Sequence, residues 1–381
     1  MKIYVVKQGD SVDSIAESQG IPVETLVWAN QIEYPYRLAV GQALYISDGE
    51  IGEGRRPLFS SGYAYPFIDS VVLEDTLPYL SAINVFSYGF TEDGNLVLPM
   101  ADDAWMIERA LQWGVRPVLT LTPLGEDGRF NNNLVSALVR SQENQQRLIW
   151  ELGRTMQEKG YEGLDIDFEY VLAEDRVEYA DFVRRATQVL NIFGYTVTVA
   201  LAPKTSAQQR GLLYEGIDYR LLGEAANHVM LMTYEWGYSQ GPPMAVAPIN
   251  MVRKVVEYAV SEIPPEKIIL GIPNYGYDWV VGSSSPATVV SNVGAINIAV
   301  QNNAQIFFDE TSKTPYFNYR DGSGRRHEVW FEDARSIQAK MDLVREFELA
   351  GVSFWHIGTY FAQAWEVLTA NFLVNKIRSP R

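Results

Sequence analysis

The sequence predicts an α/β protein built on a (β/α)8 TIM barrel, with a small α+β insertion between strands seven and eight and a small βααβ module in front. Three observations predict it. From residue 57 onward, eight short apolar runs alternate with longer stretches of helical periodicity, the pattern of parallel strands covered by helices. The segment 57–381 has the length that eight such units need. The first 47 residues carry a different, shorter pattern that closes on itself. An open doubly wound sheet is the alternative arrangement of the same alternation.

The opening module, residues 1–47, starts with a strand around Tyr4-Val5-Val6. A Gly9-Asp10 turn follows, then two stretches with apolar residues at helical spacing and a closing strand within Val40–Ile46. Asp10 or Ser11 can cap the first helix, and Pro22 suits the first turn of the second. Residues 48–56, DGEIGEGRR, are polar, glycine-rich and aperiodic, and read as a linker. The eight runs are 58–63, 82–88, 116–121, 163–169, 195–201, 228–235, 267–272 and 351–357. Helical stretches are expected at 103–113, 138–159, 174–193, 248–262 and 333–349, with a closing helix near 361–374. The gap between the seventh and eighth runs is much longer than the others and rich in turns, as in Thr314–Gly324. It reads as an insertion at about 280–332 packed on the top of the barrel.

Composition excludes several function classes. Hydrophobic residues make up 47% of the chain, with 22 Tyr, 16 Phe and 9 Trp, enough for a large core. The formal charge of −16 repels phosphate backbones and anionic membrane surfaces, so neither nucleic acid nor membrane is an expected partner. The absence of cysteine removes disulfides, thiolate metal sites and a cysteine nucleophile. His228, His327 and His356 are scattered without ligand spacing, so no metal is expected, and no motif implies an organic cofactor. The first ten residues lack the apolar core of a signal peptide. No run of eighteen apolar residues marks a membrane span. A monomer is expected.

The most informative segment is Gly163-Leu164-Asp165-Ile166-Asp167-Phe168-Glu169-Tyr170. On a strand, alternation puts Asp165, Asp167 and Glu169 on one face and Leu164, Ile166 and Phe168 on the other. In a barrel the acids point inward and the apolar residues meet the helices. Three stacked carboxylates in a low-dielectric interior raise one another's pKa, so at least one proton is retained. Glu169 lies nearest the C-terminal end of the strand, where such barrels place their chemistry, and a protonated acid there can donate to a leaving-group oxygen. A solvated edge strand or a divalent-cation site are the alternatives for the acids.

Two resemblances carry the reading further. The opening module, through its GD turn, its IA pair, ANQI and VGQALYI, resembles a LysM module, a fold that binds glycans containing N-acetylglucosamine; a mere structural cap is the alternative. The carboxylate run resembles the DxxDxDxE signature of glycoside hydrolase family 18, with Glu162 in place of its first Asp. Ser87-Tyr88-Gly89-Phe90, Met232-Thr233-Tyr234-Glu235, Tyr275-Gly276-Tyr277-Asp278-Trp279 and Ser353-Phe354-Trp355-His356-Ile357-Gly358 agree with other positions of that family. The third strand lacks the family's usual SxGG, and Glu235 stands where chitinases commonly carry Asp.

The resemblance implies hydrolysis with retention and no protein nucleophile, the sugar's own 2-acetamido oxygen attacking the anomeric carbon. Glu169 is then the acid and later the base. Asp167 orients the acetamido N–H, Asp165 shares a proton with Asp167, and Tyr234 donates to the acetamido oxygen. Trp355 is the apolar floor of the sugar site. Tyr275, Tyr88, Met232 and Glu235 are further candidates for substrate contact, and His356, one residue past Trp355 and so on the opposite face, is read as structural. Tyr234 and Trp355 are core aromatics in the alternative reading. The combination is similar to spore-cortex-lytic N-acetylglucosaminidases, which implies peptidoglycan, or another N-acetylglucosamine-containing glycan, as partner. The location so implied is the cortex or coat of a bacterial spore. A chitinase, a non-catalytic glycan-binding protein and a coat scaffold are the alternatives.

Overall fold

The fold is described from a computed structural model over residues 1–47 and 54–376. Residues 48–53 of the expected linker lie outside the described residues. In the opening module, Lys2–Val5 pairs antiparallel with Ala43–Ile46 around helices Val12–Gln19 and Val23–Ala29. Ser11 is the cap of the first helix: its Oγ accepts from Ser14 N at 3.1 Å while Ser14 Oγ accepts from Ser11 N. Asp10 instead fixes the turn, accepting from Lys7 N at 2.7 Å and from the Tyr4 hydroxyl at 2.9 Å. Pro22 sits at the N-cap of the second helix, one residue ahead of its first turn.

Eight parallel strands form the barrel: Pro57–Ala64, Ala82–Phe90, Arg116–Leu121, Gly163–Ile166, Thr196–Leu201, His228–Leu231, Ile268–Pro273 and Gly351–Trp355. The eighth pairs with the first, Gly351 opposite Phe59, so the sheet closes and has no free edge. The fourth and sixth strands are shorter than their apolar runs because the chain leaves the ladder before the residues that line the barrel mouth. Helices follow the strands and bury one face against them, as in Ala104–Gln112 and Arg176–Ile192.

Three departures from the sequence reading have local causes. The stretch 138–159 is two helices, Asn133–Val139 and Gln142–Lys159, because Ser141 breaks the first and caps the second. Helices Ser70–Thr76 and Tyr219–Ala225 were not expected; each is seven residues, too short for helical periodicity to stand out. The closing helix stops at Asn371, and Leu373–Val374 pairs beside Pro57 and Leu58.

The insertion is a five-stranded antiparallel sheet, Gly276–Val280, Thr288–Val290, Phe307–Asp309, Thr314–Arg320 and Arg326–Trp330, with helix Asn292–Gln301. It starts at residue 276 rather than 280, since only Asn274 and Tyr275 separate it from the seventh barrel strand. Its own core holds Ala295, Ile296, Phe317, Val329 and Phe331.

The opening module packs directly on the barrel and on the insertion. Gln363, buried on the last barrel helix, donates to Asn30 Oδ1 at 2.9 Å and to Ala43 O at 2.8 Å and accepts from Ala334 N at 2.9 Å. Gln31 accepts from Ala362 N at 2.6 Å and donates to Tyr360 O at 3.3 Å. Ile306 N donates to Val40 O at 2.8 Å. Ala29 and Tyr45 belong to the barrel's apolar core and Ala39 to that of the insertion. Gly41, at φ +85°, lies so close to Ile306 that a Cβ there would fall 1.8 Å from its carbonyl oxygen.

Candidate active site

A cleft of about 950 Å³ opens at the C-terminal ends of the barrel strands, the end where a parallel barrel gathers its loops. Asp167, Glu169, Met232, Tyr234, Glu235, Tyr275 and Trp355 all line it, so seven of the nine residues singled out in the sequence come together.

The alternation argument accounts for the fourth strand. Leu164, Ile166 and Phe168 are buried towards the helices, with Phe168 stacked on Phe182 at 6.0 Å between centroids. Asp165 is wholly buried inside the barrel and does not line the cleft; its Oδ2 accepts from the Tyr63 hydroxyl at 2.9 Å. The ladder carries one residue beyond the strand, Asp167 N donating to Leu121 O at 2.9 Å. Asp167 Oδ1 is buried without a hydrogen-bond partner, an unmet acceptor that a donor on a bound molecule would satisfy. Glu169 follows at the mouth. The next residue, Tyr170, has left-handed backbone at φ +54°, and Glu235, directly after Tyr234, has φ +66°; such geometry concentrates where a side chain must be aimed.

The acids perturb one another in the expected direction. Burial pushes Asp165 up to about 7, against the opposing pull of Tyr63's donation. Burial holds Asp167 well above the usual carboxylate range, and the charges of Glu169 and Asp165 add to this. Glu169 is raised by burial and then by the charge of Glu235. The run therefore holds protons near neutrality that isolated carboxylates would lose. Tyr234 stays a neutral donor, since burial and the four surrounding acids all oppose its ionisation.

Glu235 is held by two phenols. The Tyr275 hydroxyl donates to its Oε1, and the Tyr277 hydroxyl lies 3.0 and 3.2 Å from its two oxygens. Trp355 forms the inner floor, its ring set edge-on to Tyr63 and Phe86 at 5.3 and 5.0 Å between centroids.

Two expectations need correction. Tyr88 is fully buried outside the cleft, its hydroxyl donating to Asp103 within a cluster that also contains Tyr161 and Lys159. The cause is a register shift between Val85 and Tyr88, which ends simple alternation and leaves Phe86 as the residue facing the cleft. His356 lines the cleft rather than the far face, because the strand ends at Trp355 and alternation ends with it; Gly358 N donates to its Nδ1 at 3.0 Å.

Sequence reasoning also passed over Tyr65, Phe130, Tyr214, Trp236 and Tyr277, all in the cleft wall. Most stand in loops, where no periodicity announces a facing side. Tyr277 belonged to the quoted Tyr275–Trp279 motif, and its two-residue spacing from Tyr275 was the available signal. Glu162, at the first motif position, precedes the strand, and its amide donates to Pro117 O at 2.9 Å. Among the described residues no group of three or more His, Asp or Glu side chains is placed to hold a metal ion. Among them, too, no helix is long and apolar enough to cross a membrane.

Comparison with known proteins agrees with this geometry. The cortical fragment-lytic enzyme of Bacillus subtilis (strain 168) is 39% identical over 99% of both chains. The enzyme of the same name from Bacillus anthracis is 36% identical, again over 99% of each. The crystal structure of the Bacillus megaterium QM B1551 spore cortex-lytic enzyme SleL superposes with a TM-score of 0.91 at 32% identity, covering 98% of both chains. A chitinase from Chromobacterium violaceum shares the fold, with a TM-score of 0.76 at 24% identity over 82% of this chain and 98% of its own. Residues 4–47 match the LysM domain and residues 120–359 match glycosyl hydrolases family 18. With the acid run at the mouth of a closed barrel and inside the family 18 match, the chain belongs to glycosyl hydrolase family 18 and is a glycosidase carrying an N-terminal LysM domain.

Proposed function

We propose that this glycosidase cleaves the β-1,4 bond after N-acetylglucosamine in peptidoglycan, with spore cortex as its setting, by a retaining mechanism in which the substrate's acetamido group is the nucleophile. The observation that carries the proposal is the pairing at the cleft floor. Glu169, inclined to keep its proton, stands two residues from Asp167, whose Oδ1 is buried without a partner. A sugar amide N–H supplies the donor Asp167 lacks. Orienting that amide brings its oxygen under the anomeric carbon, and effective concentration does the rest. No second carboxylate nucleophile is then required.

In the first step Glu169 gives its proton to the departing glycosidic oxygen as the acetamido oxygen closes on the anomeric carbon. Positive charge spreads over the resulting oxazolinium ring, where Asp167, passing its proton to Asp165 beneath it, offsets it as a carboxylate. Tyr234, a neutral donor, supports the acetamido oxygen. In the second step Glu169 takes a proton from water, which opens the ring with net retention. Trp355 offers an apolar face to the sugar's C–H bonds.

The cortex setting rests on the relatives, which bear the names cortical fragment-lytic and spore cortex-lytic enzyme across nearly the whole chain. It supports a location in the spore. The LysM domain gives a second point of glycan attachment. The test is release of new reducing N-acetylglucosamine ends from cortex fragments and from chitin oligomers by the native chain and by Glu169→Gln. Release from cortex fragments that the variant lacks supports the proposal. Equal release by both chains overturns the mechanism, and a preference for chitin oligomers overturns the substrate.

A further inference from the structure

The seventh and eighth barrel strands stop together, Pro273 opposite Trp355. Proline has no N–H to continue the ladder, and the next residue, Asn274, takes over with its whole hydrogen-bonding capacity. Its backbone N donates to Trp355 O at 2.8 Å. Its side-chain amide donates to His356 O at 3.1 Å and to Thr359 O at 2.9 Å. Its Oδ1 faces Asn292 Nδ2 at 3.5 Å, and Asn292 Oδ1 in turn accepts from Glu332 N at 2.9 Å. Asn274 is 4% exposed and is not part of the cleft lining.

Three pieces of the cleft meet at this residue, Trp355 through its backbone N and the His356–Thr359 turn and the insertion through its side chain. Tyr275, which holds Glu235, is its chain neighbour; Trp355 and His356 hang from its donors; the insertion, which contributes Tyr277, reaches it through Asn292. We infer that Asn274 is the positioning residue for the sugar floor: it fixes the Trp355 ring and the Tyr275–Glu235 pair in one frame without touching substrate. The inference rests on the reading of this cleft as the sugar-cleaving site. Only an uncharged planar amide fits, because two donors must reach two carbonyls while one acceptor faces Asn292. A carboxylate of the same shape sets negative charge against the carbonyls of His356 and Thr359.

The test compares Asn274→Ala, Asn274→Asp and Asn227→Ala in the full chain. Asn227 makes a part-buried bond to the backbone, its Oδ1 accepting from Val197 N at 2.8 Å, at the opposite end of the barrel, so its variant measures a purely structural loss. Three readouts are taken: kcat and KM on a N-acetylglucosamine glycan, melting temperature, and the change in tryptophan fluorescence on adding N-acetylglucosamine oligomers, which needs no turnover. Asn274→Ala is expected to lower kcat at least tenfold and to lose most of the fluorescence change, while Asn227→Ala keeps both at a comparable drop in melting temperature. The activity of Asn274→Asp relative to the native chain is expected to rise as pH falls, since the protonated acid regains one donor. Native kcat and native fluorescence response in Asn274→Ala would overturn the inference. So would losses in both alanine variants that simply follow melting temperature. A native chain that binds the oligomers but cleaves no glycan counts against the functional reading, and the fluorescence comparison then decides the Asn274 inference alone.

Discussion

The Tyr63 hydroxyl, on the first barrel strand, donates to Asp165 Oδ2, on the fourth, at 2.9 Å across the barrel interior. This bond favours the ionised form of an acid that burial nevertheless pushes up to about 7. In the proposed mechanism Asp165 shares a proton with Asp167 under its influence. Replacing Tyr63 by Phe leaves a buried acceptor unmet, at a cost of about 1–3 kcal/mol. Its expected effect is a drop in kcat of roughly tenfold or more and an upward move of the acidic limb of the pH–rate profile. A profile superimposable on the native one would count against the coupling.

Glu169→Gln keeps shape and removes the proton. Hydrolysis should fall by about 10²–10⁴-fold, with oligomer binding by calorimetry retained. Loss of binding in parallel with rate would point to damage to the cleft rather than to removal of the acid.

Glu235 is the charge that raises Glu169 after burial itself. Neutralising it as Glu235→Gln makes ionisation of Glu169 easier, so a smaller fraction is protonated at any given pH. The basic limb of the kcat profile should therefore move to lower pH. A basic limb that stays in place would show that the two groups do not communicate.

The buried acids also set how stability depends on pH. Asp165 binds a proton up to about pH 7 in the folded chain but only to about 4 when unfolded. The folded state thus holds more protons between those values, and stability falls as pH rises through that window. For this group alone the upper bound is about 4 kcal/mol. Asp165→Asn should flatten the decline and raise the melting temperature at pH 8, at the expense of activity. Equal slopes in the two chains from pH 4 to 8, measured by denaturant titration, would contradict the assignment.

Gly41 meets Ile306 where the opening module and the insertion touch. Gly41→Ala forces a Cβ against a carbonyl and places a side chain at φ +85°. A clear loss of melting temperature is expected with kcat on short glycans little changed. Unaltered melting would mean that the contact does not hold in solution.

Much of this was legible in the sequence. All eight barrel strands fall on their apolar runs, the fourth and sixth stopping short of the run's end, and the face-sharing of Asp165, Asp167 and Glu169 followed from two-residue alternation alone. The failures cluster where alternation stops. Tyr88 was assigned to the cleft through its place in a family motif, and a register shift between Val85 and Tyr88 leaves it turned towards Asp103. His356 was placed on the far face by alternation, one residue after the rule had expired. Asn274 left no trace, because its role depends on carbonyls about 80 positions away in the chain.

The seating of the opening module on Gln363 alters what a deletion experiment can mean. A barrel stripped of residues 1–47 would bare the side of Ala362 and Gln363 that Gln31 and Asn30 now cover, and would leave a buried glutamine amide searching for partners. Weak performance by such a trimmed enzyme would report an injured wall as readily as a missing anchor. Surface changes on the intact protein, at the exposed rings of Trp28 and Tyr34, are the cleaner way to ask what the module holds.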